Sequence, residues 1–144
     1  MTYLPAGLPI PEPMRDGLDA TFWEGLRDHR LVVQRCAACG VRWFPPEWLC
    51  PKCRSLDFAW DEMGATGRIF TWTRVWHPTH PALTDTCPYV AVVVELDDDR
   101  RIRLVGNLVA DPLAEVVIGA PVEAVFEDAE NVTLVQWRTK DPKI

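Results

Sequence analysis

The sequence predicts a mainly β fold in three parts. Residues 1–30 form an arm and a short helix, residues 31–62 a small rubredoxin-like ribbon, and residues 63–140 a five-stranded barrel of OB type. Three observations carry this reading. Four of the five cysteines lie within "CAACGVRWFPPEWLCPKC", residues 36–53, as two pairs. Five β-like stretches follow Gly64, separated by turn residues. One helical pattern precedes both.

The arm comes first. Pro5, Pro9, Pro11 and Pro13 remove backbone donors and forbid a helix over residues 1–18. Such a segment is either a free tail or an arm that orders against a partner. In "LDATFWEGLRDHRL", Leu18, Phe22, Trp23 and Leu26 recur at spacings of three and four, the mark of a one-sided helix. Asp19 or Thr21 is placed to cap it, and Thr21 with Glu24 resembles a capping box. Phe22 and Trp23 either pack on the body of the protein or anchor a second chain.

The ribbon rests on Cys36-x-x-Cys39 and Cys50-x-x-Cys53. Each pair fits a tight turn that aims two sulfurs at one point, and two such turns supply four thiolates for a tetrahedral ion. Gly40 and Pro51 suit those turns, the first by tolerating positive φ and the second by fixing its own. Zinc is the expected ion, one per chain, with iron the alternative for the same four sulfurs. Four thiolates saturate zinc, so the site is expected to brace the fold and leave no position for a substrate. A ribbon this small cannot bury Trp43, Phe44 and Trp48 alone; they either cover the barrel or, like Phe22 and Trp23, face a partner.

The barrel strands are expected at 68–76, 89–96, 102–108, 122–126 and 132–138, with an open sandwich as the competing arrangement. Period-two counting along "RIFTWTRVW" puts Ile69, Thr71, Thr73 and Val75 inside, and Phe70, Trp72, Arg74 and Trp76 on the other face. That second face suits either a flat ring, such as adenine, or the ribbon, and Arg74 and His77 are the candidate contacts to such a ligand. The loop from His77 to Pro88 also holds His80, Asp85 and Cys87. It has no signature of a nucleophilic site, so no catalytic residue is assigned. Asp97, Asp98 and Asp99 lack the spacing and the glycine of a calcium loop and are expected to flank a solvated turn.

The bulk numbers exclude several classes. The chain has 144 residues and a net charge of −6. Residues 30–54 carry five basic side chains and one acid, whereas residues 64–138 carry six basic and eleven acidic ones. No face is dense enough in positive charge for a phosphate backbone. Nothing spans a membrane, and the proline-rich start is no signal peptide, so a reducing cytosol is expected.

The order of motifs resembles a family of bacterial and archaeal zinc-ribbon plus OB-fold proteins associated with acyl-CoA metabolism, the accessory subunits of thiolase-like enzymes. The likeness runs through "FWEGLRDHRLVVQRC", the paired cysteines with "PP" between them, "GATGRIFTWTRVWH", "PYVAVVVELDDDRRIRLVGNLV" and "IGAPVEAVFED", covering roughly residues 17–138. The resemblance implies a non-catalytic subunit of a thiolase, acyltransferase or aldolase complex. By the same resemblance it stabilises a thiolase-like chain that holds the catalytic cysteine or tyrosine and helps to bind the coenzyme A moiety, for which Arg74 and His77 are the candidate contacts. It also implies a heterotetramer and assigns Cys36, Cys39, Cys50 and Cys53 as zinc ligands. The rival reading is a single-stranded nucleic-acid-binding ribbon and OB protein.

Overall fold

The computed structural model describes residues 4–140. The first three residues of the expected arm and the last four of the chain lie outside that range. A single helix, α1 (Ala20–Arg27), leads into β1 (Leu31–Cys36), β2 (Arg42–Trp43) and β3 (Phe58–Met63). The barrel strands are β4 (Thr66–Val75), β5 (Tyr89–Leu96), β6 (Arg103–Asn107), β7 (Pro121–Asp128) and β8 (Thr133–Thr139).

Helix α1 buries Phe22, Gly25 and Leu26 and ends at Asp28, followed by His29 in the left-handed region at φ 56°. Its start differs from expectation. Asp19 is the capping residue but makes no side-chain bond to the backbone; its carboxylate accepts from Trp23 Nε1 at 2.8 Å. Thr21 lies inside the helix and is exposed, so no capping box forms with Glu24. A longer-range side-chain partner has outcompeted the local one.

The ribbon sheet has the order β2-β1-β3, all antiparallel. Its central strand is buried almost throughout because both of its faces are covered. Leu31 and Val33 join one core with Phe22, Leu26, Met63 and the barrel interior, which includes Ile69, Val92, Val94, Leu96 and Val122. A second, much smaller cluster of Cys36, Trp43 and Cys50 lies at the ribbon tip. Helix, ribbon base and barrel therefore share their apolar packing, and only the tip has its own.

The barrel sheet runs β6-β5-β4-β7-β8 and closes where Leu108 bridges to Trp137, with Val109 N donating to Trp137 O at 2.7 Å. Trp137 is completely buried at this seam. Gly106 leaves it room, since a Cβ there would stand 2.8 Å from Trp137 Cδ1. Closure through β6 and β8 decides for the barrel over the open sandwich.

One inside-outside assignment is overturned. The β4–β5 register shifts between Ile69 and Thr71, so Phe70 is the extra residue of a bulge. Beyond it the alternation inverts. Ile69 is buried as expected, but Thr71 and Thr73 are exposed, while Trp72 packs against the core. An inserted residue shifts a period of two by half a cycle.

The triple aspartate is also more than a solvated turn. Asp98 Oδ2 accepts from Gly64 N at 2.6 Å and Asp97 Oδ2 from Thr66 Oγ1 at 2.8 Å. Asp99 takes the Arg101 guanidinium. The β5–β6 turn thus ties down the ribbon-to-barrel junction.

Candidate functional site

The four paired cysteines converge at the ribbon tip. Cys36 ends β1, Cys39 follows one tight turn, and Cys50 and Cys53 bracket the next. Cys36 Sγ lies 3.5 Å from Cys53 Sγ, Cys39 Sγ lies 3.6 Å from Cys50 Sγ, and all four sulfurs are within 4.8 Å of one another. A tetrahedral ion with metal–sulfur bonds of about 2.3 Å needs sulfurs roughly 3.8 Å apart, and the cluster brackets that spacing. Backbone amides support the charge: Cys39 N donates to Cys36 Sγ at 3.4 Å, and Lys52 N and Cys53 N donate to Cys50 Sγ at 3.4 and 3.5 Å. Gly40 closes its turn at φ 75°, and Gly40 N and Arg54 N donate to the Cys36 and Cys50 carbonyls.

The acidity of the sulfurs reflects the crowding. The amide of Cys39 draws the Cys36 thiol down to about 6. At Cys50, partial desolvation pushes up, but the amides of Cys53 and Lys52 outweigh it and the thiol is lowered. At Cys53 the Ser55 amide pulls down, yet the sulfurs of Cys36, Cys39 and Cys50 together push the thiol up to about 12. Four sulfurs sharing protons unequally are what a divalent cation would neutralise. The donor set, spacing and amide bonds fit zinc.

The aromatic candidates separate. Phe22 and Trp43 are buried, Phe22 against Phe44 at 5.1 Å and Trp43 against Phe58 at 6.0 Å. Trp23 is half-buried and bonded to Asp19. Trp48 alone of the four stays open, 64% exposed.

At the end of β4, Arg74 is half-buried and His77 exposed. The Arg74 guanidinium sits 5.2 Å over the Trp72 ring and donates from Nε to Pro112 O and from Nη2 to Ala114 O, both at 2.7 Å. His80 accepts from Ala82 N at 3.1 Å and caps a 3₁₀ turn, Pro81–Leu83. Among the described residues no hydrogen bond joins Cys87 to His77 or His80, so the loop does not assemble the Cys-His pair a nucleophile needs.

The arm lies on the barrel. Leu4 N donates to the buried Glu127 at 3.1 Å, and Gln136 Nε2 donates to the same carboxylate at 2.9 Å. It helps to wall two clefts. One, of about 330 Å³, is apolar and lies beside Leu83, Tyr89 and Leu108; the other, of about 500 Å³, lies between the arm, α1 and the β7–β8 turn.

Sequence reasoning passed over three supports of the site. Gln34, fully buried on β1, donates to Glu47 O at 2.9 Å and accepts from Glu47 N at 2.7 Å, clamping the segment between the cysteine pairs. Asp61 on β3 accepts from Arg35 at 3.0 Å and from Arg42 at 2.9 Å, fastening all three ribbon strands, and those guanidinium groups hold its carboxyl below the usual range. The third is the loop of residues 110–119, read from the sequence only as a turn. The signals were a lone glutamine in an apolar strand and an apolar run, "LAEVVIG", inside a supposed linker.

Comparison with known proteins follows this geometry closely. Residues 23–59 match the model described as "ChsH2, rubredoxin-like zinc ribbon domain", and residues 60–127 that described as "ChsH2, C-terminal OB-fold domain". The chain is 37% identical over 134 residues to a probable enoyl-CoA hydratase alpha subunit of Thermomonospora curvata, covering 92% of this chain but 41% of that protein. It therefore spans less than half of that relative. It is 32% identical over 115 residues to a DUF35 domain-containing scaffold protein of Methanocaldococcus jannaschii, covering 78% of this chain and 79% of the scaffold. A solved structure described as "Ltp2-ChsH2(DUF35) aldolase" superposes with a TM-score of 0.78 at 37% identity, covering 92% of this chain and 100% of that one.

Proposed function

The chain belongs to the ChsH2 zinc-ribbon and OB-fold family, and from that premise we propose that it is a non-catalytic subunit of a thiolase-type complex acting on acyl-CoA. The observation that carries this reading is the closed four-sulfur site. Four cysteine ligands fill a tetrahedral zinc and leave no place for water or substrate, so the ion serves the scaffold and the reacting groups belong to another chain. One structural zinc per chain is part of the proposal. So is a cytosolic setting, whose reducing conditions keep the thiols available. The names of the relatives support the acyl-CoA connection: a hydratase alpha subunit, a scaffold protein and a component of an aldolase.

Two finer points complete the reading. The complex is a heterotetramer in which two copies of this chain flank a thiolase-like dimer. The chain also helps to hold the coenzyme A moiety. His77, exposed just past β4, contacts it directly, and Arg74 acts through the loop it holds. Nucleic acid is not part of this reading, because the barrel segment of residues 64–138 is acidic by five charges, eleven acids against six bases.

Co-expression with a thiolase-like chain, followed by sizing and an acyl-CoA assay, tests the proposal. The expected result is activity that co-elutes with both chains and is absent from this chain alone. Homogeneous chain that turns over acyl-CoA unaided sinks it. Deleting residues 1–16, which leaves the core helix α1 in place, is expected to weaken assembly while metal content stays unchanged; unaltered co-purification would count against a docking role for the arm.

A further inference from the structure

Four stretches of chain meet around the apolar cleft of about 330 Å³. Leu4, Pro5 and Leu8 of the arm form one wall, and Leu83 with the residues after it forms another. The start of β5 and the end of β6 contribute Val90 and Leu108, and the loop that follows reaches the cleft at Pro112. Each stretch is held by bonds of its own. In the arm, Leu8 N donates to Pro5 O at 3.2 Å across a turn in which Gly7 takes φ 85°. Leu4 N donates to Glu127, Gln136 Nε2 donates to the other oxygen of that carboxylate, and Gln136 Oε1 accepts from Asn107 N at 2.6 Å. Glu127 and Gln136 are buried, so a sheltered polar chain ties the arm to the end of β6. His80 caps the 3₁₀ turn through Ala82 N, Leu108 N donates to Val90 O at 2.8 Å, and Arg74 holds Pro112 O. Protein interiors leave few voids larger than a water molecule, so a space of this size between fastened walls is built into the fold.

We infer that this cleft is a binding site for a neutral hydrocarbon group of about ten carbons, with Gly7 as the positioning residue of its arm wall. Size sets the upper bound. An apolar cavity of about 150 Å³ takes one benzene ring, so about 330 Å³ has room for roughly twice that, a medium-length chain or two fused rings. That volume lies at the lower end of ligand pockets, which run from roughly 300 to 1,000 Å³. Charge sets the chemistry. Among the described residues that line the cleft, Thr86, Tyr89 and Asn107 carry polar side chains and none carries a formal charge. A carboxylate or phosphate inside would lose its water with no cation to pair with, which excludes the nucleotide end of a cofactor. The Thr86 hydroxyl is already engaged with Leu83 O at 3.1 Å, which leaves Tyr89 and Asn107 to bond one polar end of a ligand. Walls ordered before binding cost a ligand little entropy. Among the described residues none of the ribbon lines the cleft, so the site stands apart from the four sulfurs and from the accessory role.

The probe is phenylnaphthylamine, which is neutral and brightens in apolar surroundings, titrated into the full-length protein. The expected result is saturable binding of one molecule per chain. Decanol should displace it, and decanoate at neutral pH about ten-fold less well, because the lining offers a carboxylate no cation. Displacement by decanoyl-CoA as well assigns the site to a chain carried on a large headgroup; displacement by decanol alone assigns it to a free ligand. Leu83 is half-buried and outside the barrel core. Leu83→Asp, which adds charge, and Leu83→Trp, which fills the space without it, are each expected to weaken binding about ten-fold or more at unchanged melting temperature. A Cβ at Gly7 meets nothing within 4 Å, so Gly7→Ala strains only the turn and is expected to weaken binding roughly five-fold. Gly7→Asn, which tolerates positive φ, should bind like the wild type. Val105→Asp, 68% exposed on β6 and outside the lining, is the control. Absence of saturable binding by the wild type, or binding that both Leu83 variants retain, overturns the site. A wild-type dimer that the Leu83 variants lose overturns it in favour of a second copy.

Discussion

Chelating the metal at neutral pH removes the one strong link between the two cysteine turns. Residues 37–57 then keep the small cluster of Cys36, Trp43 and Cys50 with half-buried Val41 and Phe58, and are tied to the rest by Phe44 against Phe22, the Gln34–Glu47 clamp and the Arg42–Asp61 pair. Burying three side chains contributes roughly 5–8 kcal/mol. Ordering about 20 residues of backbone costs roughly 20–40 kcal/mol. The ribbon's hydrogen bonds, at about 1 kcal/mol each, do not bridge that gap, whereas a four-thiolate zinc supplies about 10–16 kcal/mol. The base of the ribbon is different: Leu31, Val33 and Met63 belong to the barrel's core and keep their contacts. Metal removal is therefore expected to melt the tip and spare the rest. Hydrogen exchange measured by mass spectrometry reads this directly. Amides of Cys39, Lys52, Cys53 and Arg54 should lose protection by a thousandfold or more, since about 4 kcal/mol already gives that factor. Strand β5, with Val92 and Val94 fully packed, should exchange as before. Simultaneous loss of protection in β5 would refute the separation of tip from core. Unchanged exchange at the tip would refute the metal's bracing role.

Other outcomes follow from named contacts. Asp61→Asn removes the charge that fastens Arg35 and Arg42; it is expected to cost about 1–2 kcal/mol at neutral pH, measured by urea unfolding. Because the folded-state pKa of Asp61 is lowered, that contribution is complete above about pH 4 and fades as pH falls through the folded value, so the variant and wild type should converge in acid. Arg74→Gln loses two charge-assisted bonds to the 110–119 loop, and a glutamyl protease should cut at Glu115 at least about ten times faster while metal content is unchanged. Gly106→Ala drives a Cβ to 2.8 Å from both Trp137 Cδ1 and Val135 O, which should cost about 1–3 kcal/mol and lower the melting temperature by several degrees.

Much of this was legible in the chain itself, and for local reasons. The spacing of Cys36, Cys39, Cys50 and Cys53 needs only two tight turns to bring four sulfurs together, so sequence distance and spatial distance agree. The barrel strands were found within two residues of their true ends because a period of two and turn residues such as "DDDR" are written in neighbouring positions. Trp48 facing solvent while Trp43 turns inward was not legible, since both sit in the same aromatic segment. The clamp from Gln34 to Glu47, 13 positions away, separates them.

The sequence by itself thus determined the convergence of four cysteine sulfurs and the order of the barrel strands. Only the tertiary structure decided that β4 inverts its faces at Phe70, that Arg74 is engaged with a loop 38 and 40 positions away, and that Asp97 and Asp98 hold the ribbon to the barrel. The physical reason is common to all three. A side chain's face and partner are settled by which strand lies beside it, and that neighbour is chosen by closure of the whole barrel rather than by the residues on either side in the chain.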